Sequence, residues 1–548
     1  MTVYITEDQN TTFYASRSGE EWILDTGVTI GADGVALDAA GTATGQNFIL
    51  KGHLVSHSGP FFRIGDQGLG NAATSIKFDI QATAVSNGTG FAGLSGGLSI
   101  LNVGSLSSAL TLFDLTGSDT AIENDATMRS ETGQGFVVRG DRFRLDNNDG
   151  SIWSAGTILV ITGEAAVINN NAKMQSGTGA GIHVDGAAVT ITNNSRLIAK
   201  LDAVVIAGSE AVVTNNLTIR SDEGDGIRVA GDALRLENNG TVRAGGDGIV
   251  VSGAGYDIVN HKKVVAADIG LRLDGDGAVL SQGEISGRIA VKVESGAVNL
   301  TNTNELTATG AKTAAVVASH DGMEFTNLAA VYAKSGLAFK GGRGVDVVDN
   351  RGWLEGSVKL GAGDDVFLSS DGQVGGTVFG GKGDDLYVIN SAIRVQEKKG
   401  QGIDTVESTD SYQLGANFEN LVLTGAEKTY GIGNGLDNII TGNASANRLE
   451  GRKGNDVLNG GAGNDTLYGN AGADTFIFEP GSGRDRIMDF VAGEDRISLS
   501  AFVEIASFAD VKAHLGFKHG NALITIGSDH LVIVGGADMQ LSAHDFIF

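Results

Sequence analysis

Between residues 433 and 477 the chain runs in strict nines: GNGLDNIIT, GNASANRLE, GRKGNDVLN, GGAGNDTLY and GNAGADTFI. Their sixth positions hold Asn438, Asn447, Asp456, Asp465 and Asp474. A looser block upstream reads GGRGVDVVD at 341, LGAGDDVFL at 360, GGKGDDLYV at 380 and GQGIDTVES at 400, which places Asp346, Asp365, Asp385 and Asp404 at intervals of 19, 20 and 19. Ca²⁺ is a hard cation that takes six to eight oxygens; a glycine-rich turn exposes backbone carbonyls and Asp supplies charge. These nine residues are therefore expected to line calcium sites. Aspartates stacked at the ~5 Å spacing of neighbouring strands repel one another until a divalent ion neutralises them. Calcium here is expected to be structural, with its binding free energy also serving as folding free energy.

The run GRKGNDVLNGGAGNDTLYGNAGADTF resembles the RTX nonapeptide, GGxGxDx-apolar-x. That resemblance implies a parallel β-roll with two nonapeptides per coil and Ca²⁺ in the turns between repeats one coil apart. Residues 18 apart would then face each other, pairing Asp456 with Asp474, Asn447 with Asp465 and Asn438 with Asp456. The first pair carries two formal charges and is expected to bind most tightly. Residues 481–548, with GSGRDRIMDFVAGEDRISLS, ALITIGSDHLVIV and a terminal HDFIF, resemble the tail that closes β-rolls in serralysin-type proteins. The resemblance implies a cap and an uncleaved signal for the type I secretion machinery, and hence a secreted, extracellular or surface-associated protein. The first twenty residues show no basic segment followed by an apolar one, and the chain has no cysteine, both in keeping with that route.

RTX repeats accompany proteases, lipases, epimerases, toxins, adhesins and surface-layer proteins, so residues 1–340 must be read for activity on their own chemistry. None of the nine histidines lies in an HExxH zinc motif, which removes serralysin-like proteolysis. GLSGG at 93–97 puts Ser95 in the place of a nucleophile, but no helix pattern or α/β alternation surrounds it, and a glycine turn is the better reading. The layout is similar to that of mannuronan C5-epimerases, yet their DPH string is absent: Pro60 precedes Phe61 and Pro480 precedes Gly481. No catalytic residue is assigned. What remains is a basic stripe. In GIHV, AVVI, GIRV, GIVV, GLRL and AVKV, the residue between two inward apolar positions should face solvent. It is His183, Val205, Arg228, Val250, Arg272 and Lys292, with Asp202, Asp225 and Asp247 just before. His183, Arg228, Arg272 and Lys292 would hold an acidic polysaccharide or cell-surface glycan, or in a lyase stabilise an enolate. The plainer reading is a solvated face whose cations balance neighbouring acids.

The elements that must position these residues announce themselves as a repeat. An apolar-x-apolar-x-Asn motif recurs at Asn102, Asn124, Asn147, Asn170, Asn193, Asn215, Asn238, Asn260, Ser281, Asn302, Asn327 and Asn350, mostly 21 to 23 residues apart. Each period holds three short alternating segments, too short for helices, which describes one coil of a parallel β-solenoid. One coil cannot bury its inward side chains alone, whereas stacked coils share a core. Asn at one corner of every coil can stack its amides into a hydrogen-bonded ladder. The fold expected is all-β: a right-handed parallel β-helix of about 22 residues per coil that continues into an RTX parallel β-roll with a C-terminal β cap. Its expected divisions are an N-terminal cap at 1–45, the β-helix at 46–340, the calcium-binding roll at 341–480, and the cap and secretion signal at 481–548.

Composition narrows the function classes. With 39 Lys+Arg against 65 Asp+Glu the formal charge is −26, which argues against nucleic-acid or anionic-membrane partners. No apolar run approaches the ~18 to 20 residues of a membrane-spanning helix. With 83 glycines, 2 prolines and 6% aromatics, the chain reads as a repetitive structural or adhesive protein of a bacterial surface or extracellular matrix. A polysaccharide lyase or epimerase working on the His183 to Lys292 flank is the enzymatic alternative. A self-assembling surface-layer subunit is the third.

Overall fold

The computed structural model describes residues 1–15, 19–39, 45–64, 74–79, 81–94 and 96–548. Ser95 lies outside the described residues. The chain divides into two compact units, Met1–Thr313 and Ala314–Phe548.

The first unit is a parallel β-solenoid. A representative coil has three strands, Thr190–Asn193, Arg196–Ala199 and Val204–Ala207. Each pairs in parallel with its counterpart one coil on: Ile191 with Val213, Leu197 with Ile219, Val204 with Ile227. These six side chains are fully buried. Alternation within each strand sends one set of side chains inward and the other to solvent. The register holds from the first strands, since Thr2–Ile5, Glu21–Leu24 and Asn47–Leu50 already stack in parallel.

The asparagine column follows that register. Nδ2 of Asn102, Asn124, Asn147, Asn170, Asn193, Asn215 and Asn238 donates to Oδ1 of the asparagine one coil on, at 2.7 to 2.9 Å. All are buried, so each amide satisfies its neighbour in place of water. Before Asn102 the same column holds Phe78, Leu50 and Leu24, and Oδ1 of Asn102 is left without a donor. Ser281 takes the position once and turns its hydroxyl to the Gly283 carbonyl, 2.8 Å away.

The second unit begins with coils of the same three-sided kind, such as Asp346–Asn350, Trp353–Leu354 and Ser357–Ala362. The second of the three sheets ends at Gln373–Val374 and the third at Arg394–Gln396. From Thr405 onward the coils have two sides. Strands Ile439–Thr441, Val457–Asn459 and Thr475–Ile477 stack on one side, while Arg448–Lys453, Thr466–Ala471 and Arg484–Ile487 stack on the other. Each coil there is 18 residues, two nonapeptides, as Ile440 pairing with Leu458 and Leu458 with Phe476 shows. The chain ends with a short helix, Phe508–His514, and an antiparallel meander of Leu515–Lys518, Asn521–Ile526 and Asp529–Ile533. Asp529–Ile533 lies in parallel on Arg484–Ile487, and Phe546–Ile547 lies on Arg496–Ser498. The last roll strand on each side is thereby paired rather than left as an open edge.

Candidate metal centre

The strand register brings the spaced carboxylates into two columns within the second unit. The longer runs Asp346, Asp365, Asp385, Asp404, Glu419, Asn438, Asp456, Asp474 and Asp495, each immediately before or at the start of a first-sheet strand. One coil earlier the position is Met323, so an apolar core column becomes an acidic one at Asp346. The shorter column, on the other side of the roll, runs Asn447, Asp465 and Asp485. The nine residues singled out from the sequence thus fall seven in the first column and two in the second. Glu419, Asp485 and Asp495 join them.

Each aspartate is used in the same way. The backbone N–H of Asp346 donates to Oδ1 of Asp365 at 2.7 Å, that of Asp365 to Asp385 at 2.9 Å, and that of Asp385 to Asp404 at 3.0 Å. Asp404 N–H donates to Oε2 of Glu419 at 2.8 Å, so Glu419 does an aspartate's work with a longer arm. In the roll the N–H of Asn438 donates to Asp456 at 2.7 Å, that of Asp456 to Asp474 at 2.8 Å and that of Asp474 to Asp495 at 2.9 Å. The second column repeats this from Asn447 to Asp465 at 2.7 Å and from Asp465 to Asp485 at 2.9 Å. One carboxylate oxygen of every aspartate after Asp346 is thereby tied to the coil before it, whereas Oδ2 of Asp346 accepts from Gly342 N–H in its own turn at 3.0 Å.

The other oxygen is not tied. Oδ2 of Asp365, Asp385, Asp404, Asp456, Asp465 and Asp474 is buried and has no hydrogen-bond donor. These residues are at most 2% exposed. A buried carboxylate oxygen without a partner is expensive, and a column of them is worse. Burial, reinforced by the neighbouring carboxylates, pushes Asp365, Asp385, Asp404 and Asp456 up to about 7 and Asp465 up to about 8; burial also raises Asp346 and Asp474 to about 6. The turns leave room for an ion: a Cβ on Gly451, Gly460 or Gly469 would collide with Oδ2 of Asp456, Asp465 or Asp474, five residues on. Gly454 and Gly472, with φ of +112° and +134°, supply the left-handed turn before Asp456 and Asp474. Unpartnered hard oxygens over a glycine cradle are a donor set suited to Ca²⁺.

Asn438 and Asn447 differ from the aspartates. Asn438 accepts from Asn434 N–H and donates to the carbonyls of Phe418 and Glu419, while Asn447 accepts from Asn443 N–H and donates to Oγ1 of Thr429. At the tail end, Oδ2 of Asp495 accepts from Val491 N–H at 2.7 Å. These residues begin or end runs of aspartates with their side-chain atoms already partnered.

The basic stripe also forms a column: His183, Val205, Arg228, Val250, Arg272 and Lys292 stand side by side on consecutive strands. Every arginine and lysine in it has an acid. Arg228 pairs with Asp202 at 3.4 Å and, more closely, with Asp225. Arg272 pairs with Asp247 and Glu294, both at 2.6 Å; Lys292 shares Glu294 at 2.6 Å; His183 lies 3.2 Å from Asp185. Asp202, Asp225 and Asp247 form a short ladder of their own, in which Asp225 N–H donates to Asp202 and Asp247 N–H to Asp225, both at 2.7 Å.

Three comparisons set the chain beside known proteins. Residues 432–467, 441–476 and 454–487 match the family described as the RTX calcium-binding nonapeptide repeat, in four copies. The chain is similar to two proteins of Rhizobium meliloti (strain 1021): endo-1,3-1,4-beta-glycanase ExsH, 47% identical over 75 residues, and endo-1,3-1,4-beta-glycanase EglC, 39% identical over 179 residues. These alignments take in 14% and 32% of this chain and only 16% and 36% of the relatives' own lengths. Among solved structures, the extracellular lipase LipA from Serratia marcescens aligns at 15% identity and a TM-score of 0.16, over 46% of this chain and 45% of that one. Residues 432–487 of this all-β solenoid are RTX calcium-binding nonapeptide repeats.

Proposed function

We propose that this chain is a secreted protein whose repeat coils fold on Ca²⁺ outside the cell and then serve a structural or adhesive role at a bacterial surface or in the extracellular matrix. The observation that carries the calcium part is the set of seven buried aspartate oxygens without a donor, Oδ1 of Asp346 and Oδ2 of Asp365, Asp385, Asp404, Asp456, Asp465 and Asp474. Asp346, Asp365, Asp385, Asp404, Asp456, Asp465 and Asp474 supply the charge, and Asn438 and Asn447 begin the runs in the roll. In a low-calcium cytosol these columns oppose folding, which keeps the segment extended for a type I exporter; millimolar calcium outside reverses that. A non-catalytic role is favoured by the basic column, whose cations are all engaged by the protein's own acids. No cation there is spare for an anionic glycan or an enolate.

The second reading, a glycan-modifying enzyme, is favoured by the glycanase names of the two Rhizobium meliloti relatives. The test is to incubate the calcium-loaded protein with acidic and neutral polysaccharides, a 1,3-1,4-β-glucan among them, and to score both bound fraction and new reducing ends or epimerised sugars. The expected result is no chemical change in any glycan. New chain ends from the purified protein would overturn the structural reading.

A further inference from the structure

The coil that contains Tyr387 departs from the repeat. Tyr387 is an inward residue of strand Leu386–Ile389, fully buried, and stacked between Phe367 and Val406 of the adjacent coils. A phenol in an apolar column needs a partner for its hydroxyl. It donates to Oε1 of Glu397, a residue 3% exposed that follows the last strand of the third sheet, Arg394–Gln396. Glu397 belongs to no nonapeptide. Its Oε1 also accepts from Gly380 N–H at 3.0 Å and its Oε2 from Gly381 N–H at 3.3 Å. Asn417 holds the Glu397 carbonyl from the next coil at 2.9 Å.

Three donors thus converge on one buried carboxylate. It faces two others: one oxygen each of Asp385, Glu397 and Asp404 lie within 4.8 Å of one another. Oδ2 of Asp385 and of Asp404 are among the buried atoms without a donor, on residues 2% and 0% exposed. A Cβ at Gly380 would strike Asp385 Oδ2, Tyr387 Oη and Glu397 Oε1 together, so the glycine keeps a polar hollow open between them. Glu397 also lines a 690 Å³ groove with Tyr412 and Phe418. Three converging carboxylates, one of them fixed by donors and two with free oxygens, suit a hard divalent cation.

We infer that Asp385, Glu397 and Asp404 form a distinct calcium site at the coil where the third sheet ends, completed by a glutamate from outside the repeats. It lies upstream of the matched nonapeptides at 432–487. The inference rests on the proposed calcium-dependent folding and adds a ligand to it. Glu397 would supply a third carboxylate between the column residues Asp385 and Asp404.

The test uses the full-length chain and Ca²⁺ in equilibrium dialysis at neutral pH. Glu397→Gln is expected to bind one ion fewer per chain than the wild type; an unchanged number with unchanged affinity overturns the site. Tyr387→Phe keeps all three carboxylates, so its calcium count is expected to stay. Its tyrosine-sensitised Tb³⁺ luminescence should fall, because the phenol nearest the ion is gone. Undiminished luminescence in that variant overturns the site even if Glu397→Gln fails to fold. A wild type that binds no calcium would instead overturn the broader reading of the repeats.

Discussion

Removing calcium from the full-length chain should expose an inverted pH dependence in the second unit. An unfolded aspartate titrates near 3.9. In the metal-free folded columns burial raises Asp365, Asp385, Asp404 and Asp456 to about 7 and Asp465 to about 8. Below about pH 4 both states are protonated and these groups do not affect stability. Between there and about pH 8 the unfolded chain loses its protons first. Folding then takes up protons, and stability falls as pH rises. Each pKa unit is worth about 1.4 kcal/mol, so one aspartate raised by about three units costs about 4 kcal/mol once the pH is above its folded value. Only a few such groups cancel the ~5–15 kcal/mol that holds an ordinary domain together. Metal-free, residues 314–548 should therefore melt at a lower temperature at about pH 8 than at about pH 5.5, and calcium should remove most of the difference. Circular dichroism melts with and without chelator, alongside limited proteolysis to localise the change, would show it. Stability that rises with pH in chelator, or protease protection of 341–480 that chelator leaves untouched, would refute the reasoning.

Two further outcomes concern the first unit, measured by urea unfolding with calcium present throughout. Asn193→Ala leaves Nδ2 of Asn170 and Oδ1 of Asn215 without their ladder partners. At roughly 1–3 kcal/mol for each buried group left unsatisfied, it should cost about 2–6 kcal/mol, and Asn193→Ser should cost less, since Oγ of Ser369 accepts from Nδ2 of Asn350 at 3.0 Å in the same column. Arg228→Ala strips the cation from Asp202 and Asp225. Burial already raises Asp225, and losing Arg228 raises it further, so the lost stability should grow as the pH rises and the acid ionises, and shrink as the pH falls. A deficit independent of pH would assign Arg228 a packing role instead.

How much was legible in the sequence depended on whether a residue's partner sat at a fixed spacing. The asparagine ladder and the aspartates of the strict nines repeat with the coil, so spacing alone identifies neighbours. Asp485 and Asp495 carry the same signature in GSGRD and GED, 20 and 21 residues after Asp465 and Asp474, but the repeat has loosened there and the segment reads as tail. Glu419 follows Asp404 by 15 residues, has no glycine turn and is of another type; only the pairing of Thr405 with Asn420 places it in the column. Glu397 has no periodic signal at all, because it enters the coil from the side where the third sheet stops. The basic stripe was legible as a column through strand alternation. Its neutralisation was not, since Arg272 finds Asp247 one coil back and Glu294 one coil on.

The two units meet one electrostatic problem with different cations. A strand-start aspartate that accepts its neighbour's N–H gives the stack a directional tie between coils, but leaves a charged oxygen behind. In the first unit that oxygen meets an arginine from the adjoining outward column: Arg228 for Asp225 and Asp202, Arg272 for Asp247. Those cations come with the chain, so the ladder from Asp202 to Asp247 needs nothing from solution. In the second unit the residues that follow the column aspartates are Val366, Leu386, Thr405, Val457, Thr466 and Thr475, none of which carries a charge. Under the proposed function those oxygens take a dissolved ion instead. Fixed cations make a stack that folds wherever it is made, whereas an absent cation makes folding conditional on the compartment. On this physical ground the arginine column reads as the first unit's counter-ion supply, and under the proposed function the aspartate column is where the second unit would take calcium.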